Sequence, residues 1–121
     1  MALNVVVLEK DPAVAQSLAG GLRPHFSVHL AGSHEHFLDN VARSQPQAVV
    51  LNLEHWPLCD LERLHEAFPH LSIVCTHRVP DEEMWMAALS AGACDVCPAD
   101  DINNVLTAIL RNTGILGSAA A

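Results

Sequence analysis

Pro46–Leu64, PQAVVLNLEHWPLCDLERL, carries a change of period that decides how the chain folds. Ala48, Val49, Val50 and Leu51 form an unbroken apolar run that reads as a strand buried on both faces. Asn52 closes it, and an asparagine suits a strand end because its amide bonds to nearby main chain. Beyond Glu54-His55-Trp56, Pro57 introduces Leu58, Leu61, Leu64 and Phe68 at helical spacing. The unit is one strand, a short polar loop and one helix.

The same unit recurs in both directions. Strand-like runs are read at Asn4 to Leu8, Phe26 to Leu30, Gln47 to Leu53, Leu71 to Thr76 and Cys94 to Cys97. A first helix follows Asp11 as N-cap and Pro12 in the first turn, with Val14, Leu18 and Leu22 on one face. Ser33 caps a second helix bearing Phe37, Leu38 and Val41; Asp81 opens a fourth that stops at Gly92. Asp100 or Asp101 opens a fifth, carrying Ile102, Val105, Leu106, Ile109 and Leu110. Continuous apolar strands alternating with helices predict an α/β fold, (βα)5, with a five-stranded parallel sheet covered by helices on both faces. Right-handed crossovers give the flavodoxin-like order 2-1-3-4-5, in which ligand sites gather at the carboxyl ends of the strands. Here that rim is Glu9, Lys10 and Asp11, then Asn52 to Glu54, Thr76 and His77, and Pro98 and Ala99.

Composition narrows the function. The chain has 121 residues, enough for one domain with its own core, read as 1–113 with a tail or linker start over 114–121. Fourteen acidic residues face five arginines and one lysine, a formal net charge of -8, which argues against direct nucleic-acid binding by this segment. No apolar run reaches the length of a membrane span, and the start lacks a basic leader, so a cytoplasmic protein is expected. Gly20-Gly21 lies late in the first helix rather than after a strand, and no nucleophile elbow occurs; neither supports an enzyme.

Four segments, VVVLEKDP, AVVLNLEHWP, IVCTH and AGACDVCPAD, stand in the order and at the separations of a response-regulator receiver domain, which the chain resembles from about residue 3 to 112. Receivers hold magnesium with an acidic pair after strand one and phosphorylate an aspartate after strand three. They also use a Thr or Ser after strand four and a lysine after strand five. By that resemblance the acidic pair corresponds to Glu9 and Lys10, the nucleophile to Asn52, the hydroxyl to Thr76 and the lysine to Ala99. An amide accepts no phosphoryl group. Formal charges at Glu9, Lys10 and Asn52 sum to zero rather than minus three, so the electrostatic demand for a cation is gone and the magnesium site is expected to be lost. Two placements of Lys10 follow: its ammonium fills the cation site against Glu9, Asp11 or Glu54, or it points to solvent. Arg78 is the one arginine near enough to replace the missing lysine.

Resemblance also implies a signalling face of helix four, strand five and helix five, whose usual aromatic reporter corresponds to Val96; the chain has no tyrosine. Met84 and Trp85 fall on the outward or boundary side of helix four and Met86 and Leu89 on the core side. Met84, Trp85 and Val96 are therefore the expected patch for a protein partner or a homodimer. Trp56, where the family usually has proline, is placed to lid the pocket. The overall expectation is a receiver that bypasses aspartyl phosphorylation in two-component-type signalling or transcription control and acts by protein contact. The alternative is a small-ligand module using the pocket of Glu9, Lys10, Asp11, Asn52, Glu54, Thr76 and Ala99. A third reading, an enzyme using thiols, rests on Cys94 and Cys97, which as a C-x-x-C across a strand read better as free thiols, buried or half-buried like Cys59 and Cys75. His34-Glu35-His36 reads as a solvated helical turn rather than a ligand set.

Overall fold

Each of the five strand–helix units forms in the computed structural model, which describes residues 3–113; the expected tail over 114–121 lies outside them. The order is β1 (Leu3–Leu8), α1 (Pro12–Leu22), β2 (Phe26–Ala31), α2 (His34–Ser44), β3 (Ala48–Asn52), α3 (Leu58–Ala67), β4 (Ser72–His77), α4 (Glu82–Ala91), β5 (Asp95–Pro98) and α5 (Ile102–Asn112). All strand pairs are parallel, in the order β2-β1-β3-β4-β5.

Alternation of side chains along each strand divides the core in two. Val6 and Leu8 of β1, Val49 and Leu51 of β3, and Ile73 and Cys75 of β4 face α2, α3 and α4, where they meet Phe37, Val41, Leu61 and Leu64. Val5, Val7, Val50 and Val74 face α1 and α5 and meet Leu18, Leu22, Val105 and Ile109. Each such side chain stabilises by roughly 1.5–3 kcal/mol on full burial, which is why the middles of the central strands are apolar and their polar residues, Asn4, Ser72 and Thr76 among them, sit toward the ends.

Helix limits follow from local chemistry. Asp11, Ser33, Asp81 and Asp101 accept main-chain N–H bonds at the starts of α1, α2, α4 and α5, so the choice between Asp100 and Asp101 falls to Asp101. Pro57 starts α3 without a side-chain cap. Gly92 ends α4 at φ 117°, and a Cβ there would lie 2.5 Å from His65 Cγ on α3. Its bare backbone is what lets the two helices close up.

Candidate functional site

Register assembles the site from residues far apart in sequence. Leu8 of β1 pairs with Leu51 of β3, so Glu9 and Asn52, one step beyond each, emerge side by side at the carboxyl rim. Asn52 in turn pairs with Thr76 of β4, and His77 with Pro98 of β5, which brings Ala99 to the same rim.

Glu9 is 6% exposed, so its charge needs partners. Asn52 Nδ2 donates to Glu9 Oε1 at 2.9 Å and to Oε2 at 3.2 Å, and His55 Nε2 lies 3.2 Å from Oε2. Asn52 Oδ1 turns the other way and accepts the Glu54 main-chain N–H at 2.8 Å. One amide thus ties the end of β1 to the loop after β3.

Glu54 is held by Arg78. The Arg78 main-chain N–H donates to Glu54 Oε1 at 3.1 Å, and Nε reaches both carboxylate oxygens at 3.2 and 3.1 Å. That main-chain bond first, and then the guanidinium, holds the Glu54 carboxyl below the ordinary carboxylate range against the opposing effect of desolvation.

A cavity of about 230 Å3 lies between these groups, lined by Glu9, Asp11, Val14, Asn52, Glu54, His55, Arg78 and Ala99. A larger cavity of about 500 Å3 between α1 and the start of α5 shares Val14, Arg78 and Ala99 with it. Ala99, which lines both, places only a methyl group there.

Three expected members stand elsewhere. Lys10 is exposed and makes no ion pair among the described residues, so it faces solvent, and the groups that meet the pocket carboxylates are the His55 ring, at Glu9, and the Arg78 guanidinium, at Glu54. Thr76 is buried beside Asn52 in the register but does not line the cavity. Trp56 is no lid: at 3% exposure it is packed into the core under α2, with ring centroids 5.2 Å from Phe37 and 4.3 Å from His34. The indole buries more apolar area there than it could over a polar pocket. His55 was the residue missed; its signal was proximity to Trp56, whose inward packing turns the preceding imidazole toward Glu9.

Magnesium favours a near-octahedral set of oxygens. At these positions position 10 offers an ammonium, the Asn52 oxygen is committed to Glu54 N–H, and both Glu9 oxygens accept from Asn52. The residues present do not fit that ion. No group of three His, Cys, Asp or Glu side chains among the described residues is close enough to hold a metal.

On α4 the outward face differs from expectation. Trp85 is 43% exposed, with Nε1 donating to Asp95 Oδ1 at 3.3 Å, and Met84 is half-buried. Met86, expected inside, is 57% exposed, because small Ala88 and Ala91 make the close contact with the sheet. Val96 is 8% exposed and joins the core, so it forms the floor of a shallow depression beside Trp85 rather than part of an open patch.

Cys75 and Cys97 are buried, Cys94 is half-buried and Cys59 is exposed, contrary to the expectation for Cys59. Burial, helped by Asp95 and Asp101, pushes the Cys97 thiol up to about 12; burial raises Cys75 as well, so neither is a ready nucleophile. His34 and His36 open α2 as expected, yet His34 is engaged: its Nε2 bonds the His55 carbonyl at 2.6 Å.

Among solved structures, this chain is similar to a response regulator from Thermotoga maritima, with a TM-score of 0.84 at 17% identity over 94% of this chain and 99% of that one. The signal receiver domain of the NarL response regulator from Mycobacterium tuberculosis superposes with a TM-score of 0.80 at 15% identity, covering 93% and 96%. A protein described as an atypical orphan response regulator with a phosphorylation-independent regulatory mechanism gives 0.81 at 18% identity, covering 92% and 95%. No protein-family model matches the sequence, and no curated protein matches it. The fold is the flavodoxin-like receiver fold.

Proposed function

We propose that this chain is a receiver domain of two-component-type signalling or transcription control that works without aspartyl phosphorylation, in the cytoplasm, by contact with other proteins. The observation that carries the reading is the Glu9 carboxylate, whose oxygens are taken by the Asn52 amide and whose charge faces His55. In such a pocket the Glu9 oxygens already have donors of the chain's own, and Glu54 has Arg78, so the side chains present do the work a magnesium ion would do. Asn52 offers no nucleophile, Ala99 no ammonium and Val96 no aromatic reporter. The described phosphorylation independence of one structural neighbour supports the reading by analogy. Incubation with acetyl phosphate and magnesium should leave the mass unchanged; an acid-labile phosphate on this chain would refute it.

Output then passes through the α4 and β5 surface, with Trp85 and Met84 as anchors, joined by Met86 rather than by Val96. Exposed Trp and Met are favoured interface anchors. Trp85→Glu should abolish self-association or partner capture, read by light scattering, with the circular dichroism spectrum unchanged. Association that survives the substitution excludes this surface.

A second reading, a small ligand in the rim pocket, is favoured by one observation: the cavities of about 230 and 500 Å3 share Val14, Arg78 and Ala99. Thermal stabilisation by a member of a metabolite panel, lost in Ala99→Leu, would support it over the first.

A further inference from the structure

Three of the five large apolar side chains exposed among the described residues, Val79, Trp85 and Met86, cluster at the entry to α4. Trp85 walls a depression of about 380 Å3 together with Pro80, Asp81, Glu82 and Val96. Helical spacing puts acids beside the apolar groups. Asp81 and Glu82 stand four and three residues before Trp85, and Glu82 and Glu83 stand four and three before Met86.

Charge on this side of the molecule is of one sign. From Val79 to Leu110, the stretch that forms α4, β5 and all but the end of α5, the chain has six acids, Asp81, Glu82, Glu83, Asp95, Asp100 and Asp101, and no Lys, Arg or His. None of the six forms an ion pair among the described residues, whose pairs lie at Glu9, Asp60 and Glu54. Arg78, next to Val79 in sequence, is taken by Glu54. Asp81 accepts from the Met84 main-chain N–H, and Asp95 from the Val96 main-chain N–H and from Trp85 Nε1. Those neutral donors hold the two carboxylates in place and leave their charge uncompensated. A two-fold contact between copies would bring two such sets of acids together, so a second copy of this chain is the disfavoured occupant.

We propose that this face docks a cationic segment of a different protein, with an arginine laid on the Trp85 ring. The inference rests on the α4 and β5 output surface proposed above and names the chemistry of its partner. A guanidinium stacks on an indole and pairs with a carboxylate at the same time, and here Asp81 and Glu82 flank the ring. The bond from Trp85 Nε1 to Asp95 Oδ1, at 3.3 Å, pins one edge of the indole to β5 and so presets the platform. Met86 and Val79 offer apolar surface to the aliphatic stems of the segment, and Glu83 takes a second cation.

Hexa-arginine is the probe, titrated into 15N-labelled protein at low ionic strength. The chain has two tryptophans, and Trp85→Phe identifies the indole resonance of Trp85. That resonance should shift saturably, with hexalysine binding about threefold more weakly or worse and hexaglutamate not binding. A net charge of -8 attracts any polycation, so two neutralised pairs separate the site from the general field. Glu82→Gln with Glu83→Gln should weaken binding about tenfold, whereas Glu35→Gln with Asp39→Asn on α2, the same change of net charge, should leave it within about twofold. The inference is overturned if both pairs lose affinity alike, or if the Trp85 resonance is unmoved at about 1 mM peptide. Sedimentation of the parent alone adds a further arm. Self-association that is lost in Trp85→Glu keeps the output surface and overturns the cationic partner; a monomeric parent that binds hexa-arginine supports both. The acetyl phosphate assay decides the phosphorylation reading independently.

Discussion

Placing an aspartate at position 52 tests the electrostatic account of the rim. Asn52 Nδ2 stands 2.9 and 3.2 Å from the two Glu9 oxygens. Asn52→Asp replaces that donor with an anionic oxygen at about the same place. Two unit charges about 3 Å apart repel by roughly 5 kcal/mol at an effective permittivity of about 20. The pair escapes most of this by retaining one proton, which at pH 7 costs about 1.4 kcal/mol per pH unit above an ordinary carboxylate near 4.3, or roughly 4 kcal/mol. The proton then bridges the two carboxyls, so the net loss should be about 3–4 kcal/mol, against a typical domain stability of roughly 5–15 kcal/mol. The sign of the pH dependence follows from the same proton. The folded variant holds it to higher pH than the unfolded chain does, so the deficit is small near pH 4 and grows as pH rises toward 7. Urea unfolding followed by tryptophan fluorescence at several pH values would measure it. Adding Glu9→Gln returns an amide–carboxylate pair with the roles exchanged and should recover most of the loss. An Asn52→Asp protein within about 0.5 kcal/mol of the parent at pH 7, with no pH dependence, would refute the reasoning.

Three further outcomes follow. Glu54 titrates below the ordinary carboxylate range in the folded protein, so its contribution to stability is present above that range and disappears as pH falls through the folded value. Arg78→Ala removes the guanidinium but keeps the main-chain donor, the larger cause, so a side-chain carboxyl titration by NMR should show only partial return; complete return would contradict the assignment. Native thiol labelling near neutral pH should modify Cys59 first, with Cys75 and Cys97 protected until unfolding; fast labelling of Cys97 would count against its burial. Gly92→Ala should destabilise by more than about 1 kcal/mol in chemical denaturation, because φ is positive and the new methyl meets His65; a neutral effect would mean α3 and α4 are not so closely seated.

Strands, helices and their caps were legible in sequence because each depends on neighbours within a few residues. Apolar runs marked β1, β3 and β4, and Asp11, Ser33 and Asp81 marked helix starts by a hydrogen bond made two or three residues on. The parallel order of the sheet followed from the same pattern, since strands buried on both faces need helices on both. Glu9, Asn52 and Ala99 were placed at one rim for that reason, and the register confirms it.

What occupies the space around Glu9 was decided by packing. The sequence points to Lys10 and not to His55, but the loop after β3 is anchored by Trp56 under α2, and that anchoring delivers His55 to Glu9 while Lys10 stays in solvent. On α4 the sequence reading puts Met86 and Leu89 on the core side; the close approach of helix to sheet buries the smaller Ala88 and Ala91 and leaves Met86 exposed. Sequence by itself determined the elements, their order and the asparagine that closes β3 at position 52, all local or periodic facts. Tertiary structure alone decided which donors meet Glu9 and which aromatic faces water, because those choices depend on how side chains from different elements compete for the same volume.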